Sequence, residues 1–410
     1  MNAQFTLKCI SCGEAYEATE LIYFCKKCGD LLYVEFDLSE VRDEVLNLWK
    51  RRKLISLWKY RELLPVLEEE KIVSLGEGGT RIYKCEKIAE ELKLEKLFVK
   101  YEGGNPTGSF KDRGMTIGVT KALEYGAKSV ICASTGNTSA SLAAYAAKAN
   151  LNCFVLIPRG KVALGKLAQA LIHGAKVIQI DGNFDDALKV AIEVCLKKRI
   201  YLLNSVNPFR LEGQKTIAFE IWEQLGYVVP DNIVVPVGNA GNISAIWKGF
   251  KELYSLNWSN RLPRMIGVQA EKAAPIAEAI LKGEDKVKFL KNPETIATAI
   301  RIGKPVNWKK ALKAIRESNG LALKVSDTEI IKAQKKLASK EGLFVEPASA
   351  TTIAALPKLL DLGLIDKGEL TVCIATGHGL KDPNVIVKNL KNEILTIKGE
   401  LKEVYNLLAN

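Results

Sequence analysis

One lysine follows a run of turn-forming residues, where its amine could act as a nucleophile. Lys111 comes directly after the segment GGNPTGSF at 103–110 and leads into a helix that we predict over 112–126. An ammonium group at a helix N-terminus faces the positive end of the helix dipole, so the free amine becomes easier to populate. The alternative is an ordinary solvated lysine after a loop. The constrained residues before it favour a lysine presented for a Schiff base with a carbonyl compound.

Four cysteines near the N-terminus have the spacing of a metal site. The pattern C-x-x-C-G occurs twice, with Cys9 and Cys12 in the first copy and Cys25 and Cys28 in the second. Two thiolates at this spacing can reach one tetrahedral ion, and the following glycine permits a positive φ. Two disulfides would need an oxidising compartment, and a redox pair would not explain two matched copies. We predict a structural Zn²⁺ site, because four protein ligands leave no open position for catalysis.

Two glycine- and asparagine-containing loops have the chemistry of anion sites. Residues 236–242 follow a predicted strand and open a helix, so backbone N–H groups at 238–242 could hold a phosphate. Residues 134–138 (STGNT) offer hydroxyls and amides to a carboxylate at another helix start. The alternatives are an ordinary strand-to-helix turn for the first loop and simple N-capping for the second.

Two further loops also follow predicted strands. The stretch 204–216 contains Arg210, whose guanidinium could bind phosphate oxygens bidentately or form an ordinary pair with a carboxylate. The stretch 375–382 contains His378, for which a structural role in a turn is the alternative to a functional one. Composition gives no unique role to 298–308 or to 346–350.

The elements that must position these loops alternate between strand and helix. We predict strands at 81–84, 96–100, 129–133, 153–157, 176–180, 200–203, 232–237, 264–269 and 369–375, with helices at 86–94, 164–173, 184–197, 243–254, 273–282, 327–342 and 348–362, and after 137. A helical linker is predicted at 37–60, and short strands flank the cysteines. Near-continuous apolar strands in this arrangement predict two α/β domains with parallel sheets, in which ligands bind beyond the carboxyl ends of the strands.

Composition limits the classes of protein. The chain has 410 residues, 48% hydrophobic residues and a net charge of +12. Its lysines and arginines are interleaved with glutamates, which favours a solvated surface and anionic small substrates over nucleic acid. We read no signal peptide and no apolar run long enough for a membrane span. The other five cysteines lie mostly in apolar runs, which favours reduced thiols and a cytoplasmic protein.

The segment NPTGSFKDRG at 105–114 resembles the lysine motif of pyridoxal-phosphate enzymes of fold type II, and within that group the threonine synthases. The resemblance covers about Trp58 to Asn389, and the cysteine-rich N-terminus is similar to a subset of the family. It implies two parallel or mixed-sheet α/β domains of the tryptophan synthase β-like fold, plus a small zinc-ribbon-like segment. The implied boundaries are 1–36 for the ribbon, 37–108 with 209–410 for the large domain, and 109–208 for the small domain. Lys304 stands where an asparagine is expected, close to Arg301, which the resemblance places near the site.

The resemblance also implies site residues. The cofactor is pyridoxal 5′-phosphate, with its phosphate on the 238–242 loop, its ring oxygen on Asn137 and its ring nitrogen beside Thr376. The cofactor residues are thus Lys111, Asn137, Gly238, Asn239, Ala240, Gly241, Asn242 and Thr376. The substrate residues are Ser134, Thr135 and Thr138 for a carboxylate, and Asn204, Ser205 and Arg210 for a phosphate. A neutral hydroxyl beside the ring nitrogen favours elimination and replacement over racemisation.

The implied reaction converts O-phospho-L-homoserine and water to L-threonine and phosphate, with Lys111 as the catalytic base and a homodimer as the assembly. A cysteate synthase or a Ser/Thr dehydratase of the same fold is an alternative, although a dehydratase has no need of a second phosphate site. A zinc-ribbon nucleic-acid-binding protein is a more distant alternative, because it leaves the strand-end loops unexplained.

Overall fold

A computed structural model describes residues 3–159, 164–182, 184–198, 200–390 and 401. It contains three sheets. The strands are β1 Phe5–Cys9, β2 Ala15–Tyr16, β3 Leu32–Phe36, β4 Ile82–Lys84, β5 Lys96–Tyr101, β6 Ser129–Ala133, β7 Asn152–Pro158, β8 Lys176–Ile180, β9 Tyr201–Leu202, β10 Asn232–Pro236, β11 Arg264–Ala270, β12 Leu321–Val325 and β13 Leu370–Ala375.

The α-helices alternate with these strands. They are α1 Asp43–Arg51, α2 Glu86–Leu92, α3 Lys111–Glu124, α4 Asn137–Lys148, α5 Leu164–Ile172, α6 Phe184–Lys198, α7 Phe209–Gln224, α8 Gly241–Ser255, α9 Pro275–Leu281, α10 Trp308–Glu317, α11 Asp327–Glu341, α12 Pro347–Asp361 and α13 Pro383–Leu390. None of the helices in the described ranges has the length and apolar character needed to cross a bilayer.

The two larger sheets are mainly parallel. The large sheet has the order β12-β11-β10-β13-β5-β4, and only its edge strand β4 is antiparallel to its neighbour. The small sheet has the order β8-β7-β6-β9 and is parallel throughout. Strands β1 to β3 form a separate antiparallel sheet at the N-terminus. The predicted fold class is therefore confirmed.

Helix α7 is absent from the sequence prediction, which treated 204–216 as a loop. The helix is buried on nearly every side, so its sequence lacks the one-sided apolar period that marks a surface helix. It packs between α3 and α8 at close range. A Cβ atom at Gly213 would lie 1.7 Å from the Arg113 carbonyl oxygen, and one at Gly249 would lie 2.5 Å from that of Lys215. Because neither glycine has a side chain, the backbones of α3, α7 and α8 can approach this closely where the helices cross.

Other predictions also needed correction. The linker predicted as one helix over 37–60 is divided into α1 and a 3₁₀ helix at Leu57–Leu63. Ser56 begins the second piece, and its hydroxyl accepts from the N–H of Trp58. Helix α10 and strand β12 were not predicted at all.

A closed cluster of four buried charges lies beneath the lysine loop. Arg113 on α3 donates from Nε to Glu102 at 2.6 Å and from Nη1 to Glu220 at 2.7 Å. Lys100 on β5 donates to the other oxygen of Glu220 at 2.7 Å. Two cations and two anions thus neutralise each other inside the protein, and they tie β5, α3 and α7 together.

The N-terminal ribbon contacts the small sheet on one side and helices α8 and α10 on the other. The hydroxyl of Tyr23 accepts from the N–H of Leu202 on β9 at 2.9 Å. On the other side, Lys310 donates to the Leu32 carbonyl at 3.0 Å and Lys248 to the Val34 carbonyl at 2.6 Å. The small ribbon therefore joins the α8 and α10 helices to the small sheet.

Candidate active site

The carboxyl ends of β5, β10 and β13 from the large sheet and of β6 and β9 from the small sheet meet at one cavity. The cavity has a volume of about 1300 Å³. Every predicted cofactor and substrate residue lines it: Lys111, Ser134, Thr135, Asn137, Thr138, Asn204, Ser205, Arg210, Gly238, Asn239, Ala240, Gly241, Asn242 and Thr376. The structure thus brings the separately chosen loops together.

Lys111 is the first residue of α3. The loop before it is fixed at both ends: the N–H of Phe110 donates to the Thr376 carbonyl at 3.0 Å, and Asp112 accepts from the N–H of Thr107 at 2.7 Å. Burial, and to a smaller extent the Arg210 cation, lowers the pKa of Lys111 to about 7, while Glu346 opposes the change. Burial is therefore the main cause, whereas the sequence interpretation depended on the helix dipole. The lysine has a substantial fraction of free amine at neutral pH.

The 238–242 loop forms a cup at the start of α8. Ala240 has a positive φ of 64°, and a Cβ at Gly238 would lie 3.1 Å from the Ile300 Cα. This turn directs toward the cavity the first N–H groups of α8, which lack partners within the helix. Both polar atoms of the Asn242 side chain are buried and have no hydrogen-bond partner in the structure. Unpaired donors at a helix N-terminus are suited to an anion.

Arg210 lies in the first turn of α7 and is only 2% exposed. Within the described residues no carboxylate forms an ion pair with it, and its buried Nε atom has no hydrogen-bond partner. Burial lowers its pKa to about 10, which leaves it cationic at neutral pH. The alternative of an ordinary arginine–carboxylate pair is therefore wrong for the described chain.

Two nearby residues have structural contacts of their own. The Asn204 amide donates to the Ala133 carbonyl and accepts from the Ala133 N–H, both at 2.9 Å. The carbonyl of Ser205 accepts from the Asn307 side chain at 3.2 Å, and the N–H of Asn307 donates to the Asn239 carbonyl at 3.1 Å. Asn307 therefore links the cup to the 204–210 loop.

The loop at 134–138 begins α4. The N-cap residue of α4 is Gly136, and no side chain caps the helix, so the alternative of simple N-capping by Ser or Thr is wrong. The Ser134 hydroxyl instead accepts from the N–H of Gly136 at 3.2 Å in the turn before the helix. The side chain of Asn137 contacts the large-sheet side of the cavity instead, where its Nδ2 donates to Glu346 at 2.9 Å.

Glu346 is a cavity residue whose role the sequence did not reveal. It is buried and accepts from the Thr376 hydroxyl at 3.0 Å as well as from Asn137. A single acidic residue within the largely apolar stretch 342–357 was the available signal.

His378 and Lys304 lie at the edges of the site. The Nδ1 of His378 accepts from the N–H of Leu380 at 3.0 Å, and its backbone N–H donates to Gly108. This is the structural turn role given as the alternative. Lys304 pairs with Asp185 at 2.6 Å across the cavity mouth, joining the large-sheet side to α6.

Comparisons with known proteins agree with this geometry. A family model described as pyridoxal-phosphate dependent enzyme matches residues 73–377. A threonine synthase of Methanocaldococcus jannaschii is 60% identical over 381 residues, which is 93% of this chain and 94% of the relative. A threonine synthase of Methanosarcina acetivorans is 57% identical over 390 residues, with the same two shares.

Solved structures support the fold alone. The diaminopropionate ammonia lyase of Escherichia coli aligns with a TM-score of 0.68 at 15% identity and covers 96% of this chain and 98% of its own. Maize serine racemase aligns with a TM-score of 0.65 at 23% identity and covers 77% of this chain and 92% of its own. Taken with the extent of the sequence matches, these findings assign the family: the chain belongs to the threonine synthases, a family of pyridoxal-phosphate-dependent enzymes.

Proposed function

We propose that this chain converts O-phospho-L-homoserine and water to L-threonine and phosphate in the cavity around Lys111. The observation that carries the proposal is a single cavity that contains a lysine of lowered pKa and two separate places suited to phosphate. One is the 238–242 cup and the other is the unpaired Arg210. Two phosphates, one on the cofactor and one on the substrate, require two such places, whereas a Ser/Thr dehydratase requires one.

The cavity residues fit pyridoxal 5′-phosphate. The unpaired polar atoms of Asn242 and the helix start at α8 suit its phosphate, which Gly238, Asn239, Ala240, Gly241 and Asn242 would hold. Asn137 would contact the ring oxygen, Thr376 the ring nitrogen and Lys111 the carbonyl carbon. When bound, the cofactor supplies an electron sink for negative charge on the substrate carbons.

The Lys111 amine has two roles in the proposal. As the free base, Nζ would hold the cofactor covalently at its carbonyl carbon, with loss of water, until the substrate amine replaces it. The released Nζ then moves protons at Cα and Cβ of the substrate, for which a pKa near 7 is well matched. Phosphate leaves from Cγ, which regains a proton to become the methyl group, and water adds at Cβ.

The remaining polar residues orient the substrate. Ser134, Thr135 and Thr138 line the cavity at the start of α4, and we assign the substrate carboxylate to them. We assign the substrate phosphate to Arg210 with Ser205 and Asn204. Because the Asn204 amide is already bonded to Ala133, we expect it to shape this phosphate site more than to bind directly.

Parallel assays test the substrate and reaction. Purified protein is given O-phospho-L-homoserine, O-phospho-L-serine with sulfite, or L-threonine, and phosphate, ammonia and amino-acid products are measured. Threonine and phosphate from the first substrate support the proposal. Cysteate from the second, or ammonia from the third without threonine synthesis, contradicts it. Borohydride reduction followed by peptide mapping should place the cofactor on Lys111.

We also propose that Cys9, Cys12, Cys25 and Cys28 hold one structural Zn²⁺. Their sulfur atoms all lie within 4.8 Å of one another. Ideal tetrahedral ligation with Zn–S bonds of about 2.3 Å separates sulfurs by about 3.8 Å, and the Cys9–Cys28 and Cys12–Cys25 pairs are at 3.4 and 3.5 Å. Metal analysis should find about one zinc per chain, and Cys12→Ser should lose it. A fully metal-free active protein would contradict the assignment.

The domain division and the assembly remain proposals. The small-sheet strands fall within 109–208 and the large-sheet strands fall outside it, which supports the division into 1–36, 37–108 with 209–410, and 109–208. Residues 391–400 and 402–410 of the large domain lie outside the described residues.

We propose a homodimer from the family resemblance, which sedimentation would test. The five cysteines outside the ribbon are all buried free thiols, which supports a cytoplasmic location.

A further inference from the structure

The buried carboxylate of Glu346 joins the two sides of the active-site cavity. Asn137 Nδ2, at the start of α4 beside the small sheet, donates to its Oε2 at 2.9 Å. Thr376 Oγ1, directly after β13 of the large sheet, donates to its Oε1 at 3.0 Å. Among the described residues, no lysine or arginine forms an ion pair with this carboxylate, although Lys111 is close enough to interact with it electrostatically.

The backbone around Glu346 fixes the position of the carboxylate. Its N–H donates to the Gly377 carbonyl at 3.0 Å, and the N–H of Gly377 donates to the Ser349 hydroxyl at 3.0 Å. A Cβ at Gly377 would lie 2.7 Å from Glu346 Oε1, so the absence of a side chain there permits this approach. Glu346 also precedes the first turn of α12, where a negative charge is favoured by the helix dipole.

An ionised carboxylate accepts hydrogen bonds and donates none. Glu346 therefore requires the N–H end of the Asn137 amide and the proton of the Thr376 hydroxyl. The Ser349 hydroxyl accepts from the Gly377 N–H and lies 3.0 Å from Thr376 Oγ1. Its proton can be donated to Thr376 at this distance, which is shorter than the 3.4 Å to its other acceptor, the Gly377 carbonyl. With its proton directed at Glu346, Thr376 has only oxygen lone pairs to offer toward the cavity.

We propose that Glu346 is a positioning residue that makes Thr376 a hydrogen-bond acceptor toward the cavity and thereby selects the protonated form of the cofactor's pyridine nitrogen. The inference rests on the proposed function, in which Thr376 is the residue beside that nitrogen. A protonated ring is the stronger electron sink, which suits a reaction that forms negative charge at two substrate carbons. An isolated threonine hydroxyl could instead donate to an unprotonated ring nitrogen. Here Thr376 already donates its proton to the buried Glu346 carboxylate, so it can only accept from the ring.

The protonation state is measured on holoenzyme reconstituted with cofactor carrying ¹⁵N in the pyridine ring. We expect the wild-type NMR shift to be that of a protonated nitrogen. In Glu346→Gln, the new side-chain N–H group can donate, so the Thr376 proton is no longer held and the shift should move to that of unprotonated pyridine. We expect kcat to fall about 10- to 100-fold, corresponding to one charge-assisted hydrogen bond, with little change in KM.

Glu294→Gln is the matched control. Glu294 is an exposed carboxylate at the rim of the same cavity, so this variant removes an equal charge without altering the bonds to Thr376 and Asn137. It should keep the wild-type shift. An unprotonated wild-type nitrogen, or a wild-type shift in Glu346→Gln, overturns the proposal.

A second pair of variants covers the case in which Glu346→Gln does not retain cofactor. Thr376→Val removes the acceptor and should give an unprotonated nitrogen, while Thr376→Ser should restore the protonated signal. A protonated nitrogen in Thr376→Val contradicts the inference. Failure of the proposed function is recognised separately, as wild-type protein that binds no cofactor at Lys111 or makes no threonine from O-phospho-L-homoserine.

Discussion

Arg113 and Arg210 lie on two helices that pack against each other, and both guanidinium groups are buried. Arg113 is enclosed by Glu102 and Glu220 in a cluster whose charges sum to zero. In the described chain, Arg210 has no carboxylate partner and faces the cavity beside Lys111. Since an unpaired buried charge is costly, such a residue indicates a place where a ligand of opposite charge binds. Paired charges here maintain the fold, whereas unpaired charges mark the site.

Lys111 gives the largest expected effect. Lys111→Ala should reduce threonine formation about 10³-fold or more, because it removes the residue that we propose as both nucleophile and proton-transfer group. Its stability should not fall, since the amine forms no ion pair in the described chain. Steady-state assays and denaturant unfolding measure the two effects.

The matched control is Lys121→Met on the same helix. Lys121 is also buried, but it pairs with Glu124 at 2.5 Å. This variant should lose stability and keep its activity. An active Lys111→Ala protein would contradict the conclusion that unpaired buried charges mark the active site while paired ones maintain the fold.

Arg113→Met should destabilise the fold by about 3–5 kcal/mol, because it leaves two buried carboxylates with only Lys100 to neutralise them. Urea unfolding, followed by circular dichroism, gives the free energy. A loss of less than about 1 kcal/mol, the range of exposed ion pairs, would show that the cluster does not maintain the fold as proposed.

Arg210→Met should behave in the opposite way. We expect its stability to equal or exceed that of the wild type, because no partner is left unpaired in the protein. Its kcat/KM for O-phospho-L-homoserine should fall about 10- to 100-fold through the loss of a charge-assisted contact to phosphate. Arg210→Lys should recover part of this activity. A strongly destabilised Arg210→Met would mean that the arginine has a structural partner after all.

The smallest expected effect is a shift in the pH midpoint of cofactor uptake when Arg210 is replaced. Lys111 is cationic below its lowered pKa of about 7, so the fraction of free amine should fall about tenfold per pH unit below that value. The uptake rate by cofactor-free protein, followed by absorbance between pH 5.5 and 8.5, should follow this fraction. In Arg210→Met the midpoint should move upward, because Arg210 is one cause of the lowered pKa. An unchanged midpoint would show that the two cations do not interact.

The sequence was most informative where strands end. Loops at Lys111, Asn137 and Gly238 could be chosen from turn residues alone, because parallel sheets bring the ends of their strands to one edge. Helix α7 could not be predicted, since a helix buried on all sides has no amphipathic period. The proposed role of Glu346 could not be predicted either, because it depends on hydrogen bonds from distant residues. Asn137 precedes it by 209 positions in the chain, and Thr376 follows it by 30.

The N-terminal ribbon also has a consequence for biosynthesis. Its residues leave the ribosome long before the groups that receive them are synthesised. Tyr23 meets its partner 179 residues downstream, and Leu32 meets Lys310 after 278 residues. The fold around the four cysteines can form early, because they are close in sequence, but its docking must wait until α10 has emerged. The nascent chain therefore carries a folded N-terminal ribbon while the next 278 residues are synthesised, and the ribbon completes its contacts only after α10 has emerged.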